Sequence, residues 1–205
     1  MGAFWTFITT DWYFAIPLFL MSGVAVTLVI WRLLLNFNAS TDMNVFLPAF
    51  QQELEKKGID AALRYCRSQP GMIPRKLFVA GLDTSKQGLA AMRRAMANVI
   101  ELEILPDLNF LLPMILAIAK IATMVGLLGT VVSMIGTFNK IQEGGDAKGQ
   151  SSAIGLALFA TALGLVTAIP LVFTHVLFKA WIANFEIRMK SGAQKLLILI
   201  RNVKA

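Results

Sequence analysis

Three long apolar stretches restrict this chain to folds that a lipid bilayer can hold. Tyr13–Leu35 is apolar up to Arg32, Leu111–Phe138 carries the single charge Lys120, and Ser151–Phe178 carries none. At 1.5 Å per residue the first reaches about 34 Å and the other two about 42 Å, enough to cross a hydrocarbon core with some tilt. Lipid offers no partner to a backbone N–H or C=O, so each stretch is predicted to be a helix. The fold class that follows is an all-α integral membrane protein with three transmembrane helices and long helical extensions outside the bilayer. A chain that is 57% hydrophobic and 15% charged agrees.

The basic residues set the orientation. Nine Lys and Arg lie between Lys56 and Arg94, six between Lys179 and Lys204, and none in the first dozen residues. The expected order is residues 1–35 as an outer N-terminus and first span, 36–110 as a cytoplasmic helical region, and 111–140 as the second span. An outer turn (141–150), the third span (151–178) and a cytoplasmic C-terminal helix (179–205) follow. Met1–Thr10 lacks a basic n-region, which predicts a retained anchor rather than a cleaved signal. Most of the +7 net charge is thereby topological, and no aromatic-basic platform points to nucleic acid. Cys66, the single cysteine, falls in the reducing compartment and reads as a small buried side chain.

Residues 36–110 read as a collar of short helices. Thr41 or Asp42 caps a segment that Gly58 ends; Asp60–Ser68 forms another, closed at Pro70–Gly71; Ile73–Leu82 is a short apolar-basic piece. From Gly88 a longer helix runs into span two, with kinks expected at Pro106 and Pro113. In the tail, Ile182, Phe185, Met189, Leu196, Leu199 and Ile200 alternate with basic residues. Packing on the collar is favoured over lying on the inner leaflet.

Within span two, Ala119, Thr123, Gly126, Thr130, Ser133 and Thr137 recur at four/three spacing and share one face. Lipid tails cannot hydrogen-bond hydroxyls, so this face meets protein or water. Gly129 adds a small residue to span two. Span three has a matching seam of Ala153, Ala157, Ala160, Gly164 and Thr167, with Thr161 and Ala168 beside it. Close packing through small residues accounts for most of both stripes. Thr130 and Thr161 stand out because both lie about 12–15 Å from the outer end of their spans. Two hydroxyls at one level are candidates for a polar ring in an assembly.

No Asp or Glu lies inside any span. Threonine can relay or hydrogen-bond but does not titrate, so a proton carrier would have to come from another chain or from His175. His175 reads either as a relay or, preferentially, as an interfacial residue whose tip reaches water or a backbone carbonyl. Lys120 can snorkel, pair across a subunit boundary or hold lipid headgroups, and Arg32 is a candidate lipid or subunit contact. No His/Cys cluster, P-loop or nucleophile–base set appears, so neither enzyme activity, metal nor cofactor is expected. A structural scaffold competes with ion conduction; a solute transporter is disfavoured, since three spans hold no inverted repeat.

At LPMILAIAKIATMVGLLGTVVSMIGTF and IGLALFATALGLVTAIPLVF the chain resembles the MotA/TolQ/ExbB proton-channel family, and GIDAALRYCRSQPG with VAGLD resembles its cytoplasmic loop. The topology is similar to the TolQ/ExbB branch; the flagellar stator branch has four spans. The resemblance implies a pentameric ring in a bacterial inner membrane around a dimer of single-span, ExbD/TolR-like partners. In that arrangement the partner's membrane aspartate carries the proton, Thr130 and Thr161 match the pore-facing threonines, and Ser133, Thr123, Thr137 and Thr167 extend the path. A TonB- or TolA-like protein would receive the energy, with TonB-type uptake favoured. Four positions depart from the pattern: Leu156 replaces a Glu, Thr123 a proline, Trp31 the Glu before Arg32, and His175–Val176 a Tyr-Asn pair. Leu156 removes an auxiliary proton site.

Overall fold

The structure is a computed structural model that describes residues 12–39, 43–69, 71–142 and 147–204. Every described element is helical. They run α1 (Trp12–Ala39), α2 (Met43–Ser68), a π-helix (Ile73–Phe78), α3 (Val79–Asp83), a 3-10 turn (Ser85–Gln87), α4 (Leu89–Val99), a second π-helix (Ile100–Ile104), α5 (Leu105–Asn109), α6 (Leu112–Gln142) and α7 (Ala147–Lys204). Among the described residues, three helical stretches are long and apolar enough to cross a membrane: Ala15–Leu34, Leu89–Asn139 and Ala157–Asn202. The Thr41/Asp42 cap, the tip of the turn after α6 and the first eleven residues lie outside the described residues.

The chain divides into two compact units. One comprises residues 1–31 and 111–178, the other 32–110 and 179–205.

The first unit buries many small residues beside a few large ones such as Ile115 and Leu18, and leaves many large apolar residues outside. Ala15, Ala119, Ala122, Ala157, Ala160 and Ala168 are buried, while Leu20, Met124, Leu127, Val166 and Phe173 are exposed. That inversion of the water-soluble pattern is what a lipid or protein environment around the unit requires, since hydrocarbon outside leaves close van der Waals packing to hold helices together. Ala15 of α1 and Ala160 of α7 share a cluster with Phe159 and Leu163. The tightest crossing joins α6 to α7 at Gly126 and Gly164. A Cβ on Gly164 would stand 2.7 Å from the Ala122 carbonyl oxygen, and one on Gly126 would stand 3.0 Å from that of Ala160. Only hydrogen fits at this contact.

The second unit has a conventional apolar core, with Leu77, Met92, Met96, Ile104, Met189, Leu196 and Ile200 buried. Phe46 stacks on Tyr65 at 5.8 Å and meets Phe78 edge-on at 5.3 Å. Gly58 (φ 78°, ψ −174°) breaks α2 into two limbs, a conformation that favours glycine. Gly88 (φ 101°) opens α4 in the same way. The bend expected at Pro106 takes the form of the second π-helix. Proline leaves the Leu102 carbonyl without its usual amide and its ring crowds that oxygen, and a wider turn relieves both. A turn at Phe110–Leu111 then precedes Pro113. Lys76 meets Asp107 at 2.8 Å and Arg67 meets Asp83 at 3.5 Å, both pairs well exposed.

Candidate functional site

Glycine at 126 lets α7 approach close enough for its hydroxyls to reach the α6 backbone. Thr161 Oγ1 donates to the Gly126 carbonyl at 3.0 Å, and Thr130 Oγ1 lies 3.2 Å from the same oxygen. The two hydroxyls also hydrogen-bond one another. Two protons serve these three contacts, so one hydroxyl donates to the other while the second donates to the carbonyl. Both directions of this short chain satisfy the same atoms, and each leaves a hydroxyl lone pair able to accept from a water or a protonated acid. Thr130 and Thr161 are both half-buried.

The remaining hydroxyls of the stripe do not join this pair. Thr123 donates to Lys120 O at 2.7 Å, Thr137 to Ser133 O at 2.9 Å and Thr167 to Leu163 O at 3.1 Å. Each is satisfied on its own helix, a familiar use of Thr in spans. Thr137 is buried and Ser133 half-buried. Gly129, Ala157, Gly164 and Ala168 are buried on the packed face. The side chains of Ala153 and Leu156 lie outside the described residues. Among the described residues no group of three or more His, Cys, Asp or Glu side chains comes together to hold a metal.

His175 lies at the opposite end of the same unit. Its Nδ1 is 3.1 Å from the Leu112 carbonyl. A carbonyl only accepts, so Nδ1 bears the proton and Nε2 is left as the acceptor in the neutral ring. The ring tip thus reaches a backbone carbonyl. Lys120 is exposed on α6. Arg32 departs from expectation: it is 1% exposed rather than turned to lipid or a neighbour. Its guanidinium donates to the Leu108 carbonyl within the second unit, and its Nε has no partner. The Gly126 carbonyl was not foreseen either, although a glycine four residues before Thr130 was the available signal.

Residues 71–191 match the MotA/TolQ/ExbB proton channel family. The chain belongs to that family. Comparison with curated protein sequences gives no match. The part that matches the MotA/TolQ/ExbB family begins just before the first π-helix and ends within α7, so it contains the Thr130–Thr161 pair, Lys120 and His175. Arg32, Cys66 and all of α1 and α2 fall outside it.

Proposed function

We propose that the chain is the ring-forming subunit of a proton-motive-force-driven motor in a bacterial inner membrane, of the TolQ/ExbB branch. Members of the family work as oligomers with single-span partners. Here the ring is read as a pentamer around a dimer of ExbD/TolR-like helices, with the N-terminus outside and the C-terminus cytoplasmic. The powered process is TonB-type uptake, with Tol, gliding or secretion drives using the same subunit design.

The observation that carries this reading is the hydroxyl pair of Thr130 and Thr161 on the Gly126 carbonyl, set in spans that contain no carboxylate. A titrating acid supplied by the partner can exchange hydrogen bonds with this pair without the pair itself changing charge. That division of labour, with the acid on one chain and uncharged relays on the other, suits a conduit that excludes bare charge from lipid. Ser133, Thr123, Thr137 and Thr167 are assigned to the walls rather than to the relay, because their hydroxyls are already satisfied on their own helices or lie off the pair.

The test is proton flux through the complex reconstituted with its partner. Thr130→Val with Thr161→Val preserves shape and removes both hydroxyls. Loss of flux with the ring retained is expected. Unchanged flux would make the small-residue seams mere helix glue and the subunit a scaffold.

A further inference from the structure

Lys120 is a cation inside an apolar stretch, Leu111–Phe138, that holds no other charge. It stands about 12 Å along α6 from Leu112 and about 27 Å from Phe138. Its side chain is exposed and has no ion pair among the described residues, and Thr123 engages only its backbone carbonyl. A bare ammonium at that depth is costly in hydrocarbon, and such residues face protein or a wet cavity. Helix geometry tilts the side chain toward the Leu112 end. Four methylenes cover only about half of the distance back, so snorkelling leaves the charge short of lipid headgroups.

This chain supplies no anion for it. No Asp or Glu lies in Tyr13–Leu35, Leu111–Phe138 or Ser151–Phe178. Copies turned about an axis parallel to the helices keep equal heights, so a neighbouring copy brings no carboxylate to the level of Lys120 either. An acid at this level has to come on a different chain.

The surroundings of Lys120 show what kind of chain fits. Met124, Leu127 and Val131 lie within about 40° of it round α6, and all three are exposed. Ala122, Gly126 and Gly129, on roughly the opposite side, are buried. Thr123 and Thr130 lie about 60–80° to one side, between the exposed face and the packed one. A single apolar helix laid along the exposed face meets Lys120 at one level. About 15 Å further along it borders the Thr130–Thr161 pair.

We infer that Lys120 is the docking cation for the single-span partner proposed above, pairing with a second carboxylate of that helix. This carboxylate stands about three turns, toward the Leu112 end, from the acid that meets the hydroxyl pair. The inference rests on the ring-and-partner reading and adds the flank of α6 that the partner lies on and a charge it must carry. An ion pair shielded from water fixes register, and register is what holds the exchanging acid level with Thr130 and Thr161.

The experiment purifies the full-length ring from native membranes with the single-span chain it carries and weighs both by native mass spectrometry. Lys120→Met is expected to leave the ring intact and to lower the fraction retaining that chain about tenfold, whereas Lys120→Arg retains it. Sequencing the retained chain is expected to show the second Asp or Glu, and replacing that acid with Lys is expected to restore retention to the Lys120→Glu ring. A retained chain without the second acid, or one held equally whatever stands at position 120, overturns this contact and leaves the ring and its partner standing. Loss of bound anionic phospholipid from Lys120→Met with the chain retained assigns the lysine to lipid and overturns the contact likewise. A wild-type ring that carries no single-span chain overturns the contact and the proposed function together.

Discussion

Thr161 on α7 donates to the carbonyl of Gly126 on α6 at 3.0 Å, and Gly126 is also the residue against which Gly164 of α7 packs. One glycine thus serves two purposes. Its missing side chain sets the helix separation, and its carbonyl anchors the hydroxyl pair. Packing and the hydroxyl pair are coupled here, so a change that spreads the helices also parts the hydrogen bonds of Thr130 and Thr161.

Gly164→Val tests the packing half. Its new Cβ would stand 2.7 Å from the Ala122 carbonyl oxygen, and neither backbone can give way cheaply. Overpacking of this kind costs about 1–3 kcal/mol, read as a lower unfolding temperature in detergent. Gly136→Ala is the control, because nothing lies within 4 Å of the added atom, and it is expected to leave stability unchanged or slightly raised.

Serine tests the relay half. Thr130→Ser and Thr161→Ser keep the hydroxyl and are expected to retain flux. Each single Val variant loses one link, and a hydrogen bond worth about 1–1.5 kcal/mol corresponds to a fall of roughly tenfold. Flux that follows side-chain volume instead of the hydroxyl would contradict the relay.

Arg32 is buried with one carbonyl acceptor and an unpartnered Nε. Replacing a poorly compensated buried charge by an apolar group of similar length is commonly neutral or stabilising. Arg32→Met is therefore expected to leave the unfolding temperature unchanged or to raise it. A large loss in thermal unfolding would mean that the guanidinium finds a further anion in the membrane.

Cys66 is fully buried, and desolvation pushes its thiol up to about 12 from an ordinary 9.0. The folded state thus holds the proton more tightly than the unfolded chain. Its contribution to stability is complete below about pH 9 and declines as pH rises toward 12. At pH 8 the folded protein is expected to resist maleimide and to react fully once unfolded in detergent. Rapid labelling of the folded protein would show that the α2 limb opens.

Glycine and proline breaks were legible because they act locally. Gly58 and Gly88 adopt positive φ where the pattern predicted helix ends, and Pro106 disturbs the turn before it. That the disturbance becomes a π-helix was not legible, since several distortions relieve the same clash. The common level of Thr130 and Thr161 followed from counting residues along two spans. Their direct contact did not, because equal depth says nothing about distance across the bilayer.

What the sequence determined by itself is the set of one-dimensional properties: three membrane-length apolar helices, the hydroxyl stripe, the absence of carboxylates between the membrane faces, and the motif order of the MotA/TolQ/ExbB family. Tertiary structure decided the rest. Which carbonyl the hydroxyls share, and that Arg32 reaches Leu108 across 76 residues, depend on how closely helices cross. That closeness is set by the small residues of two helices acting jointly, and no single stretch of sequence contains it.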